Sequence, residues 1–158
     1  MQTTKEQAFE RLVQEHKDLI WQVCQDYSLS AAWTAKDAFQ EVLCKLWKDL
    51  DQFKGQSSER TWIYRLATNT LREIKRKKSN QPAPEAPTDI LHTTTPSQQY
   101  DLECIIASLD EPDATIVRAS LDGFDYSEIA QITHLTIAAV AMRLSRVKQK
   151  IKTLLSHE

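Results

Sequence analysis

The stretch from Asp125 to Leu155 narrows what this chain can fold into more than any other part of it. It reads as a short helix, a tight turn and a longer basic helix, the helix-turn-helix plan in which the second helix enters the major groove of DNA. Asp125 is placed to accept from the free amides of a first turn, and Glu128 three residues on to reach back, which together make a capping box. Ile129, Ala130 and Ile132 supply one buried face. His134 falls where the first helix must end and the chain reverse, a position that needs positive φ and is usually glycine. Thr136 is the N-cap expected for the second helix. Val140, Leu144, Val147, Ile151 and Leu154 or Leu155 follow at three- and four-residue spacing as its core stripe. Arg143, Arg146, Lys148, Lys150 and Lys152 make the rest of that helix cationic. The bland alternative is a pair of bundle helices with a solvated basic face.

Charge supports the sharper reading. The net charge of −2 conceals two basic segments. Residues 72–78 carry five cations against one acid, and residues 143–152 carry five cations and no acid. Between them, residues 101–128 hold eight acids and one cation, Arg118. One such patch would be an ordinary solvated helix end, but two suit contact with a polyanion at two places.

Around this motif the chain divides. Residues 79–100 contain four of the five prolines and no Lys or Arg, and read as a linker, mobile alone and ordered only by a partner. It separates a domain at 1–78 from one at 101–158, and the fold class expected is all-α, two small helical domains. In the first, Phe9, Leu12, Val13, His16, Leu19, Ile20 and Val23 define one amphipathic helix. Ala38, Phe39, Val42, Leu43, Leu46, Trp47 and Leu50 define a second, and Trp62, Ile63, Leu66, Ala67, Thr70, Leu71 and Ile74 a third. In the second domain, Leu102, Ile105, Ile106 and Leu109 start a helix, Pro112 opens another, and Gly123 closes it. No alternating strand pattern appears, and two glycines leave no phosphate-binding loop.

Cys24, Cys44 and Cys104 are odd in number, far apart and set among apolar neighbours, which fits buried thiols in a reducing compartment. Neither they nor the four histidines have metal-ligand spacing, so no metal and no cofactor is expected. No nucleophile–base pairing stands out either, and the chain is expected not to be an enzyme. No apolar run approaches the roughly 20 residues of a membrane span, and no secretory segment begins the chain; a cytoplasmic protein is expected.

The third helix carries a second polar stripe, Arg65, Asn69, Arg72 and Arg76, with Glu73 beside it. Asn and Arg read base edges and grip phosphates. The short polar loop Lys54–Ser58, with Gln56 and Ser57, precedes it between Phe53 and Trp62 and could hold an unstacked base. Trp62 itself lies in the apolar stripe and reads as core.

These segments together resemble one family, the extracytoplasmic-function group of bacterial sigma-70 factors. The resemblance rests on Phe9-Glu-Arg-Leu-Val-Gln-Glu-His, Asp37-Ala-Phe-Gln-Glu-Val-Leu-Cys-Lys-Leu-Trp, Phe53 to Asn69, and Tyr126-Ser-Glu-Ile-Ala, in the family's order and spacing. It implies that Asp37, Gln40, Glu41, Lys45 and Lys48 dock on the β′ clamp of core RNA polymerase. It implies that Lys54, Gln56, Ser57, Arg65, Asn69, Arg72 and Arg76 recognise and melt the −10 element of promoter DNA. Thr136, Ala139, Met142, Arg143, Ser145, Arg146 and Lys150 would meet the −35 element, near the β flap. An anti-sigma factor would cover the polymerase-binding surfaces. Two departures stand out, since Ala141 replaces a usual cation of the recognition helix and Met142 a small polar residue; −35 readout should lean on Arg143, Ser145, Arg146 and DNA shape. The alternative reading is a stand-alone helix-turn-helix regulator, dimeric on palindromic sites, although the N-terminal helices offer no heptad surface for a dimer.

Overall fold

The computed structural model describes residues 2–26, 34–79, 102, 104–106 and 108–156. The linker expected over 79–100 lies outside them, save Ser79 at the end of a helix. Among the described residues every regular element is helical. The chain forms two compact units, Met1–Ala86 and Pro87–Glu158.

In the first unit α1 (Gln2–Asp26), α2 (Ala35–Asp49) and α3 (Glu59–Ser79) pack pairwise on one another, with a 3-10 turn at Leu50–Gln52 leading out of α2. The apolar spacing explains the contact. Leu12, Ile20 and Val23 of α1, Ala38, Val42 and Leu46 of α2, and Ile63, Ala67 and Leu71 of α3 are all buried. Each large aliphatic side chain so buried contributes about 1.5–3 kcal/mol. The ends are set by polar chemistry. Thr34 and Asp37 close a capping box at the start of α2: the Thr34 amide donates to Asp37 Oδ2 at 3.1 Å and the Asp37 amide to Thr34 Oγ1 at 3.4 Å. Ser58 caps α3, accepting from the Thr61 amide at 3.1 Å.

The second unit packs α4 (Asp113–Leu121), α5 (Tyr126–Thr133) and α6 (Ile137–Ser156) around Ile116, Ile129, Ile132, Val140, Leu144 and Val147. Gly123, at φ 91°, ends α4 as a Schellman turn, with the Phe124 amide on the Ala119 carbonyl and the Gly123 amide on that of Ser120, both at 3.1 Å. Asp125 caps α5 by accepting from the Glu128 amide at 2.8 Å. Among the described residues Glu128 does not reach back, so only half of the expected box forms. His134 is left-handed, φ 59° and ψ 30°, where a non-glycine residue carries roughly 1–2 kcal/mol of strain. Thr136 then caps α6 through the Ala139 amide at 3.1 Å. The helix-turn-helix thus runs through α5, the His134 turn and α6.

Two further expectations are corrected. Cys24 is buried, but Cys44 and Cys104 are exposed. Cys44 lies two residues from both Val42 and Leu46, which turns it off the buried stripe of α2. Trp47 belongs to the apolar pattern yet keeps 37% of its surface exposed, because its ring packs edge-on against Phe9 (5.3 Å between centroids) at the margin of the core, under the Lys5 ammonium.

Burial pushes the Cys24 thiol up to about 12, so it stays protonated and inert at neutral pH. Iodoacetamide at pH 8 is expected to modify Cys44 and Cys104 in the native protein and Cys24 only after denaturation, as peptide mass mapping would reveal. Native labelling of Cys24 at the rate of the other two would contradict this packing.

Candidate nucleic-acid interface

Residues 61–64 and 66–68 of α3 are buried, so its polar contacts concentrate in a single stripe. At about 100° per residue, Arg65, Asn69, Arg72 and Arg76 fall within roughly 60° of one another and run about 16 Å along the helix. Arg65 and Arg72 are half-buried, whereas Asn69 and Arg76 are exposed. Asn69 is oriented by its neighbour, Arg72 Nη2 donating to its Oδ1 at 2.9 Å. Arg72 Nε is buried without a hydrogen-bond partner, a donor of the kind that seeks an acceptor. Glu73, the acid beside this stripe, is paired with Lys77 at 3.4 Å and is partly neutralised.

The loop that feeds α3 is held at both ends. Phe53 stacks on Trp62 with 4.9 Å between ring centroids, and Ser58 caps the helix. Between them Lys54 and Gln56 are exposed and Ser57 is half-buried, and Gly55, at φ 74°, supplies the left-handed residue that turns the chain. Trp62 is core, as its place in the stripe required. A cleft of about 160 Å³ opens between α2 and α3, lined among others by Lys45, Asp49, Gln52, Trp62, Arg65 and Asn69. It brings Lys45, predicted for a protein surface, beside two residues predicted for DNA. Lys45 is paired there with Asp49 at 3.1 Å.

On α2 Asp37, Gln40, Glu41, Lys45 and Lys48 are all exposed. Asp37 also holds the helix start through its capping box. Cys44 sits in the middle of this polar face; its spacing from Gln40, Glu41 and Lys48 could have revealed it, but its apolar neighbours in sequence concealed it.

On α6 Met142, Ser145, Arg146 and Lys150 are exposed, Ala139 is half-buried, and Thr136 is committed to its cap. Met142 and Ile137 keep 56% and 53% of their surface, an apolar tip on a cationic helix. Arg143 Nη1 donates to Asp113 Oδ1 of α4 at 3.1 Å. A groove of about 290 Å³ lies along the opposite flank, lined by Tyr126, Ala141, Ser145, Lys148, Gln149 and Lys152. Gln149 has no distinguishing sequence signal, and Tyr126, though part of the Tyr126-Ser-Glu-Ile-Ala motif, is brought to that flank only by the α5–α6 packing.

A third charged cluster holds α1 to the start of α3. Arg11 Nη2 donates to Glu59 Oε1 at 2.9 Å, and its Nη1 to Glu59 Oε2 at 3.2 Å and Glu15 Oε2 at 3.1 Å. His16 Nε2 lies 3.7 Å from Glu59. Glu15, His16 and Glu59 bring potential metal-ligand atoms within 4.8 Å, a grouping their sequence separation hides. Both carboxylates already face the Arg11 guanidinium, which occupies the place of a cation. The Arg11 hydrogen bonds hold the Glu59 carboxyl below the usual carboxylate range, and burial opposes them only in part.

Both parts of the chain match described protein families. The family model described as sigma-70 region 2 matches residues 12–81, and that of sigma-70 region 4 matches residues 99–151. The ECF RNA polymerase sigma-E factor of Escherichia coli K12 is 26% identical, over 96% of this chain and 88% of its own length. Its namesake in Haemophilus influenzae is 24% identical, over 73% of this chain and 71% of its own. The fold is similar to CnrH in its complex with the cytosolic domain of CnrY, with a TM-score of 0.71 at 21% identity, over 97% of this chain and 90% of that one. It is also similar to the sigma factor RpoE in complex with the anti-sigma factor NepR from Bartonella quintana, with a TM-score of 0.72 at 19% identity, over 94% and 97%.

Because the folded Glu59 carboxyl titrates below its unfolded value near pH 4.3, the stability it adds is complete above that pH and disappears as pH falls through the folded value. Urea unfolding between pH 6 and pH 3 is expected to show this loss in the wild type and a flatter profile in Glu59→Gln. Identical profiles would mean that Arg11 and Glu59 do not interact in solution.

Proposed function

The chain belongs to the extracytoplasmic-function group of the sigma-70 family, and from that premise we propose how its surfaces share the work of such a factor. It binds core RNA polymerase and directs promoter-specific initiation of transcription. The domain at 1–78 would carry polymerase binding and −10 melting, the domain at 101–158 would read the −35 element, and 79–100 would link them. Asp37, Gln40, Glu41, Lys45 and Lys48 form the proposed β′ clamp surface. Lys54, Gln56 and Ser57 with Arg65, Asn69, Arg72 and Arg76 form the proposed −10 surface. Thr136, Ala139, Met142, Ser145, Arg146 and Lys150 form the proposed −35 surface, with Arg143 at its edge and the β flap beside it.

The observation that supports this reading best is the continuity of the α3 stripe with the pinned loop. A row of Arg and Asn about 16 Å long can follow one strand's phosphates, while a base displaced at its end meets the loop. Each captured base is worth about 1–3 kcal/mol. Neither domain needs tight binding alone, because the polymerase holds both at a fixed separation and raises their effective concentration. The chain itself performs no covalent chemistry in this scheme. A protein partner of the anti-sigma type, as NepR is to the related RpoE of Bartonella quintana, would act by covering the α2 and α3 surfaces. No helix among the described residues is long and apolar enough to cross a membrane, and we place the protein in the cytoplasm with its polymerase. A stand-alone regulator is not favoured, since it would have no use for the region that matches residues 12–81.

The test is reconstitution. Added to core polymerase, the chain is expected to direct initiation from duplexes enriched out of a random library, and the double change Gln40→Ala with Glu41→Lys is expected to weaken core binding in a pull-down while circular dichroism stays unchanged. Failure of the wild type to bind core enzyme would end this reading.

Asn69→Ala and Arg65→Ala are expected to lower permanganate reactivity of the −10 thymines more than they lower closed-complex formation. Equal melting by all three proteins would leave the α3 stripe as a solvated face.

Arg146→Ala is expected to weaken holoenzyme binding to any duplex by a similar factor, with a salt slope shallower by about one, if Arg146 meets a phosphate. Ala141→Lys, adding a cation on the groove flank of α6, is expected to strengthen binding. Titrations at several salt concentrations decide both.

A further inference from the structure

We infer that Arg143 is a positioning residue, held by Asp113 so as to set the roll of the recognition helix, and that it delivers no charge to DNA. This deepens, and rests on, the −35 assignment above.

The placement of Arg143 on α6 is the first ground. At about 100° per residue, Arg143 lies roughly 70° from the centre of the core stripe formed by Val140, Leu144, Val147 and the half-buried Ile151, whereas Met142, Ser145 and Arg146 lie about 130–170° from it. Arg143 is thus a flanking residue and those three are outward ones. Met142, Ser145 and Arg146 are exposed, while Arg143 keeps 42% of its side-chain surface.

Its partner is the second ground. Asp113 opens α4, thirty residues earlier, and its own side chain is only 31% exposed. Asp113 lies in the first turn of α4, the end of a helix at which a carboxylate is favoured by the dipole. The guanidinium commits Nη1 to this carboxylate, whose negative charge offsets much of the attraction between Arg143 and a nearby phosphate. The ion pair instead joins the two helices that enclose Ile116, Val140 and Leu144, at the edge of their contact. It resists rotation of α6 about its own axis, and that rotation decides which side chains project into the groove. A tie of this kind governs discrimination between sequences more than affinity for DNA as such. It also cancels one acid of the 101–128 run close to the DNA-reading helix.

The two roles of Arg143 predict opposite signs for one substitution. Holoenzyme carrying Asp113→Asn, Arg143→Gln or both is titrated against a duplex enriched by the wild-type holoenzyme and against a mixed-sequence duplex, each at four salt concentrations. With Arg143 as a tie, either single change lowers affinity for the enriched duplex by about two- to fivefold, the range of a partly exposed pair. The double change lowers it no further, the mixed-sequence duplex is bound as before, and the salt slope holds. Arg143→Lys, which keeps a cation opposite Asp113, retains most of the discrimination. The inference is overturned if Asp113→Asn strengthens binding to mixed-sequence DNA, or if Arg143→Gln makes the salt slope shallower by about one, because either result sends Arg143 to a phosphate. A wild-type holoenzyme that enriches no duplex would overturn the −35 assignment and this inference with it. Discrimination by the wild type that both single variants retain in full would overturn this inference alone.

Discussion

The N-terminal unit depends on burial of the first half of α3 on more than one side. An ordinary surface helix hides one stripe, but α3 hides Thr61 to Tyr64 and Leu66 to Thr68 almost without interruption, because α1 and α2 both lie against it. Such a helix must satisfy its polar groups internally. Thr61 meets the Ser58 hydroxyl at 2.9 Å, and Thr68 donates to the Tyr64 carbonyl at 2.9 Å. What remains for solvent is narrow, and it is polar. The same packing that makes α3 the spine of its unit also gathers Arg65, Asn69, Arg72 and Arg76 into one row.

Charge is arranged by subtraction. The chain is nearly neutral overall, yet several acids nearest the candidate DNA surfaces are matched by a cation: Glu73 by Lys77, Asp49 by Lys45, Asp113 by Arg143. Exposed pairs of this sort add little stability. Their effect is on the field, since a neutralised acid no longer repels a phosphate within a Debye length of roughly 8–10 Å.

Local signals were legible in the sequence because their causes are local. Gly123 and His134 end helices, and Asp125 and Thr136 begin them, for reasons of backbone geometry confined to four or five residues. The apolar stripes likewise gave the helices and most of their buried positions. Spatial partners were not legible. Arg11 meets Glu59 across 48 residues and Arg143 meets Asp113 across 30, and no periodicity encodes such pairs. The basic segment at 143–152 therefore reads as uniformly available for DNA, whereas packing withdraws one member of it. Cys44 and Trp47 failed for a related reason: hydrophobic residues at a helix margin look like core until the neighbouring helix shows where it ends.

The stack of Phe53 on Trp62 has a kinetic side. With Ser58 fixed as the cap of α3, it leaves a loop of four residues between two anchored ends, and one of those four is a glycine already in its left-handed well. Two anchored ends restrict the conformations open to this loop, so a ligand arriving there would have less of it to order. On the proposed −10 reading, most of the disorder lost on capture would belong to the nucleic acid. How fast a base enters would be governed by how readily that step of the duplex comes unstacked, and the protein's part resembles a fixed mould more than a closing hand.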